Sequence, residues 1–143
     1  MEFDETEEQQ PGEQQVDIYS KWAILGFSLF FSPLAGGILL MLNLRSTGYK
    51  KEGNIVLIFS IAYFLLSRTL LGYLTKILSF PSQNLFIFVL ILDIIGGGIL
   101  AEYFYKKYFP DDEYEYKGIL RPLIVLLLIT IPISMLYLNM APK

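Results

Sequence analysis

The sequence contains no cysteine and no histidine. Those two absences exclude disulfides, thiolate zinc sites, cysteine nucleophiles, thiol redox motifs, imidazole general bases and histidine-ligated haem. A serine hydrolase would need another base. Charge is also scarce, since charged residues are 17% of the 143 positions, against about 25% in an average soluble domain. Half of the fourteen acids fall in the first twenty positions, so the remainder is poorer still. A net charge of −3 denies the chain the basic face that nucleic acid requires. Neither enzyme activity, a cofactor nor a metal is expected.

Apolar sequence is what the chain has in quantity: 54% hydrophobic residues and a mean hydropathy of +0.49. Length allows one domain. Residues 1–20 stand apart, with Glu2, Asp4, Glu5, Glu7, Glu8, Glu13 and Asp17, no base, and repeated glutamines. This composition predicts a disordered, solvated acidic tail, with a binding tail as the alternative. The segment has neither the basic start nor the apolar core of a secretory signal.

Residues 21–143 read as a membrane domain of four spans, at about 22–44, 55–74, 85–105 and 119–138. Each run approaches the ~20 apolar residues that a helix needs to cross a ~30 Å hydrocarbon core. The predicted fold is all-α, an integral membrane four-helix up-down bundle behind the acidic tail.

The first span carries Ser32, Pro33, Leu34, Ala35, Gly36 and Gly37 at its middle. Pro33 has no amide hydrogen, so the carbonyl of Leu29 loses its helical partner and a kink is expected. Ser28, Ser32, Ala35 and Gly36 follow one another at helical spacing, a small-residue stripe that lets another helix approach. A packing seam is the plain reading, and a broken helix lining a cavity the sharper one. The segment Pro33-Leu34-Ala35-Gly36-Gly37, followed by Asn43-Leu44-Arg45 and Gly48 with lysines behind it, resembles one found in uncharacterised small bacterial multi-span membrane proteins. The resemblance covers about the first third of the membrane region and brings no activity or site residues with it.

Two charges interrupt the middle spans. Arg68 lies in the second and Asp93 in the third, followed by Gly96, Gly97 and Gly98. A charge at the bilayer centre costs at least about 2.5–3.5 kcal/mol, so it demands a partner or an escape to the interface. Counting ~1.5 Å per residue from the connecting turn puts both charges within about one helical turn of the same depth. An Arg68–Asp93 pair between antiparallel neighbours is therefore allowed. The three glycines weaken the helix and permit backbone contact or a local break.

Beyond Asp93 the run Glu102 to Phe109 combines aromatic residues with Lys106 and Lys107, an interfacial belt. Asp111, Asp112, Glu113 and Glu115 form an acidic loop that lacks the ligand spacing of a calcium site. The last span contains Thr130, Pro132 and Ser134, and a second kink is expected at Pro132. Four spans place loops 45–53 and 106–118 on one side, where Arg121 brings the bases to seven, and both termini with the second loop on the other, where Lys21, Lys76 and Lys143 make three. The bias predicts a multi-pass protein of the plasma (inner) membrane, with those loops cytoplasmic and both termini outside.

The functional expectation is a structural or accessory membrane protein, or an assembly subunit. Its partners are the lipid bilayer and either further copies of itself or a larger membrane protein. A small transporter or channel using Asp93 as a proton or cation site is the alternative. Four-span drug exporters offer the analogy by size, but they use a first-span glutamate and this first span has no acid. An intramembrane enzyme is disfavoured, because Asp93 and Glu102 lie roughly 13 Å apart along one helix.

Overall fold

The structure, a computed structural model, describes residues 16–79, 82–110 and 114–140, apart from the side chains of residues 82, 83, 137 and 138. Among these residues the fold is all-helical, with one isolated parallel bridge between Ile18 and Tyr116. Most of the acidic tail and the acids Asp111, Asp112 and Glu113 lie outside the described residues.

Helix α1 spans Lys21–Phe30, and the Ser20 hydroxyl caps it by accepting the Ala23 N–H at 3.1 Å. It ends at Pro33, whose ring crowds the residue before it and disfavours helical backbone there. Ser32 is accordingly extended, with φ 170° and ψ 163°, and α2 begins at Pro33 and runs to Ser46. A proline suits the first position of a helix, where its missing N–H breaks no hydrogen bond.

The single kinked span expected over 22–44 is instead a hairpin. The side chain of Asn43 accepts the Tyr19 N–H at 2.7 Å and donates to the Tyr19 carbonyl at 2.8 Å. These residues are 24 positions apart, and a continuous helix would separate them by ~36 Å. The start of α1 and the end of α2 therefore lie side by side, with the turn at Phe31–Ser32 at the far end. The small residues read as a stripe along one rod face each other across this hairpin. A Cβ on Gly36 would lie 2.6 Å from the Ile24 carbonyl oxygen, so only glycine fits there.

Among the described residues, packing contacts are already made before residue 21. Ile18 is fully buried, its N–H donates to the Glu115 carbonyl at 2.9 Å, and its carbonyl accepts the Lys117 N–H at 2.8 Å. Asn43 is fully buried and completes this tie between the chain start and the hairpin. Asn43→Leu strands two backbone groups of Tyr19, and a loss of about 1–3 kcal/mol is expected. Thermal unfolding in detergent and faster amide exchange at residues 17–20 measure it.

A short turn containing Gly48, whose φ of 92° favours glycine, leads into α3, Lys50–Leu78. Helix α4, Ser82–Gly98, returns antiparallel to α3 and does not break at its glycines. It continues as a π-helical segment, Ile99–Tyr105, and one short turn, α5, Lys106–Tyr108. The wider π turn keeps Leu100, Ala101 and Tyr105 buried and leaves Glu102 outward. Helix α6, Leu120–Met140, continues through Pro132.

The hairpin sits in the groove between α3 and α4, with α2 against α3 and α1 against α4 and the π segment. The main buried cluster lies in that half of the molecule: Ile18, Ile24, Phe27, Leu40, Leu44, Val56 and Leu100 among others. Lys50–Leu78 and Asn84–Tyr108 are long and apolar enough to cross a membrane, yet only 22% and 28% of their most apolar stretches are buried. The core helix of a soluble protein is mostly buried. Here large side chains such as Leu66, Leu70, Phe86 and Ile94 are exposed.

Candidate functional site

The two charged residues singled out in the sequence lie together. The Nη2 atom of Arg68 is 3.2 Å from Oδ1 of Asp93 and 3.3 Å from Oδ2. One nitrogen serves both oxygens, so this is a bifurcated contact and not the two-pronged fork that Arg and a carboxylate make at their strongest. The Asp93 side chain is 6% exposed and that of Arg68 32%. The guanidinium also lies 5.2 Å from the centre of the Phe64 ring, within cation–π range. Arg68 is ten positions from the end of α3 at Leu78 and Asp93 eleven from the start of α4 at Ser82.

The turn of the hairpin is seated beside this pair. A Cβ on Gly96 would lie 2.6 Å from Cγ of Pro33 and 2.5 Å from Cε1 of Tyr63. One on Gly97 would lie 2.6 Å from Cβ of Ser28. Gly98 faces open space. Two of the three glycines thus form the bed on which α1 and Pro33 rest. Gly37 plays the matching part on α2, where Ser60 of α3 and Leu100 close over it. Pro33 is at the level of Gly96, so the pair lies about one helical turn beyond the hairpin tip, toward the 79–81 end.

The polar atoms in this packing are satisfied locally. Ser28 donates to the Ile24 carbonyl and Ser60 to the Val56 carbonyl, each at 2.8 Å, within their own helices. Tyr63 donates to the Leu92 carbonyl at 2.7 Å, tying α3 to α4 next to Asp93. Among the described residues no buried side-chain nitrogen or oxygen lacks a partner. The far side of the turn borders a recess of about 210 Å³ against Leu126 and Thr130 of α6. Thr130 and Ser134 bond to carbonyls of their own helix, Leu126 at 2.7 Å and Ile131 at 2.8 Å. Pro132 lies in α6 and takes no part in the pair.

A second charged cluster was not singled out as a unit in the sequence. Lys21 at the start of α1 and Lys106 after the π segment both form salt bridges with Glu102. Lys106 is four residues from Glu102, a spacing that the sequence displays. Lys21 reaches Glu102 only because the hairpin brings α1 alongside. Asn43, the lone side-chain amide in the run 34–44, was the visible signal for its tie to Tyr19; Tyr63 gave none.

Comparison of the chain with protein-family models, with curated proteins and with solved structures yields no match.

Proposed function

We propose that the chain is an integral membrane protein of three spans and one re-entrant hairpin, serving as a structural or assembly subunit. Helices α3, α4 with its extension, and α6 are the spans. At ~1.5 Å per residue the 29-residue α3 is ~44 Å long. The 10-residue α1 and 14-residue α2 reach only ~15 and ~21 Å, too short for a ~30 Å hydrocarbon core. The hairpin therefore enters and leaves on one face, with its turn near mid-depth. Non-helical backbone at that depth is tolerated where protein encloses it.

This arrangement alters the orientation expected of four spans. The residues before α1 now share a face with loops 45–53 and 106–118. Lys21, Arg45, Lys50, Lys51, Lys106, Lys107, Lys117 and Arg121 lie on that face, against Lys76 and the Lys143 that follows α6 in sequence. Eight bases against two makes the hairpin face cytoplasmic, with the acidic tail, and places the end of α6 outside.

The observation that carries the structural role is the filling of the glycine bed. Gly36, Gly37, Gly96 and Gly97 each have a neighbour where a Cβ would stand, so the middle of the protein is occupied by packed helices. The Arg68–Asp93 pair then fixes the register of α3 on α4, the best-attested use of a buried ion pair. Exposed apolar side chains along α6, including Leu128, Ile129 and Leu136, suit lipid, further copies or a larger membrane partner.

A second reading, a small transporter, rests on one observation: the hairpin tip ends within about a turn of a charged pair, as half-helices do around transported ions. Cysteine labelling separates the readings and tests the topology together, since the native chain has no thiol background. With a membrane-impermeant reagent, Glu13→Cys and Thr47→Cys label from the same side and Ser79→Cys from the other. Four spans would pair Glu13→Cys with Ser79→Cys. Cysteines placed one at a time over residues 89–101 stay unlabelled if the bed is packed. A labelled stripe every three to four residues through Asp93 would mean a water pathway and sink the structural reading.

A further inference from the structure

We propose that the recess between the start of α1 and the end of the π segment binds the phosphate headgroup of an anionic phospholipid. The proposal rests on the membrane reading above. The recess, about 620 Å³, is bordered by Ser20, Lys21, Trp22, Tyr105, Lys106 and Tyr116. It lies at the basic ends of the spans, where α1 enters, and so at headgroup level. Lys21 and Lys106 share the single carboxylate of Glu102, leaving the cluster one positive charge in excess. Ser20 accepts the Ala23 N–H and keeps its own O–H to donate.

The walls favour a lipid over a soluble phosphate. Trp22 is 77% exposed and Tyr116 50%, an outlay of aromatic surface that water does not reward and that the headgroup boundary does. A free phosphate would use the lysines alone, whereas a phospholipid also lays its glycerol and upper chains along the rings. Basic recesses between spans on the cytoplasmic side take anionic headgroups on the same grounds. Lys21 and Lys106 supply point charges on flexible stems, suited to a phosphate that sits at variable depth.

Glu102 makes the idea testable, because it competes with the lipid for both lysines. The full chain is purified in an uncharged detergent, and binding of phosphatidylglycerol, phosphatidylcholine and free glycerol phosphate is measured by native mass spectrometry and by the shift in Tm. Phosphatidylglycerol is expected to bind best, with each of Lys21→Gln and Lys106→Gln weakening it about fivefold. Glu102→Gln is expected to strengthen it. Melting of each variant without lipid reports whether it is folded. Unchanged preference in the double lysine variant, weaker binding in a folded Glu102→Gln variant, or equal binding of glycerol phosphate overturns the proposal. A protein that stays dispersed without detergent would instead defeat the membrane reading, a separate outcome.

Discussion

Gly97→Ala and Gly98→Ala, one residue apart in the same helix, shift stability in opposite directions. At Gly97 the new methyl meets Cβ of Ser28 at 2.6 Å, far inside van der Waals contact. Neither partner is the loose end of a long side chain, so relief requires α1 to move off α4. Overpacking of this kind costs about 1–3 kcal/mol, occasionally more. Gly96→Ala meets the Pro33 ring and Tyr63 and falls in the same class. Gly36→Ala is expected to be the most damaging of the set, because its methyl would press on the Ile24 backbone carbonyl and Ser28 at once, inside the hairpin itself. Gly98→Ala, with open space around it, gains up to about 1 kcal/mol of helix propensity. Gly26→Ala and Gly72→Ala, also open, serve as further controls. Reversible thermal unfolding in one detergent, variant by variant, reads the result. If Gly97→Ala proved as harmless as Gly98→Ala, α1 would not rest on α4 and the hairpin would have to be redrawn.

The second large effect concerns the ion pair, and it is expected to be asymmetric. Arg68→Gln leaves the Asp93 carboxylate, 6% exposed, without its cation. Removing one partner of a buried pair costs about 3–5 kcal/mol. Asp93→Asn is milder, because Arg68 is already 32% exposed and its long stem lets the guanidinium reach away from the packed interior. The double substitution Arg68→Leu with Asp93→Leu, which removes both charges, is expected to recover most of the loss, as well-packed apolar replacements of ion pairs often do. A double-mutant cycle on unfolding free energy supplies the coupling. Equal costs for the two single variants, with a double variant no better than either, would mean that the charges do not act on each other through this contact.

Much of the fold follows from patterns that any reader of the chain can see. The apolar runs over α3 and α4 with its extension have the length and composition to cross a membrane, α6 is a further apolar helix, and the four small residues around Pro33 advertise a close helix contact. The matched depth of Arg68 and Asp93 comes from counting back from one short turn. An interruption at Pro33 is equally legible, because proline removes one helical hydrogen bond and disfavours helical backbone at the residue before it. Its angle is not. A proline interruption is compatible with a bend or with a full reversal, and the choice rests on whether a surface exists to receive the returning helix.

That surface is assembled from residues far apart in the chain. Gly96 and Gly97 on α4 and Ser60 on α3 make the bed, and Asn43 closes the mouth by pairing with the Tyr19 backbone. Each taken singly is an ordinary residue of a membrane helix. The same distant contacts joined Lys21 to Glu102 and brought Ile18 inside. What the amino-acid order determined is therefore local: where helices form and stop, which runs are apolar enough for lipid, and which charges share a depth. What the tertiary structure alone decided is the folding back of the first run, which sets Lys21 beside Glu102 and Tyr19 beside Asn43. The reason is that a reversal costs the chain its helix at two residues and is repaid only by contacts across dozens of positions.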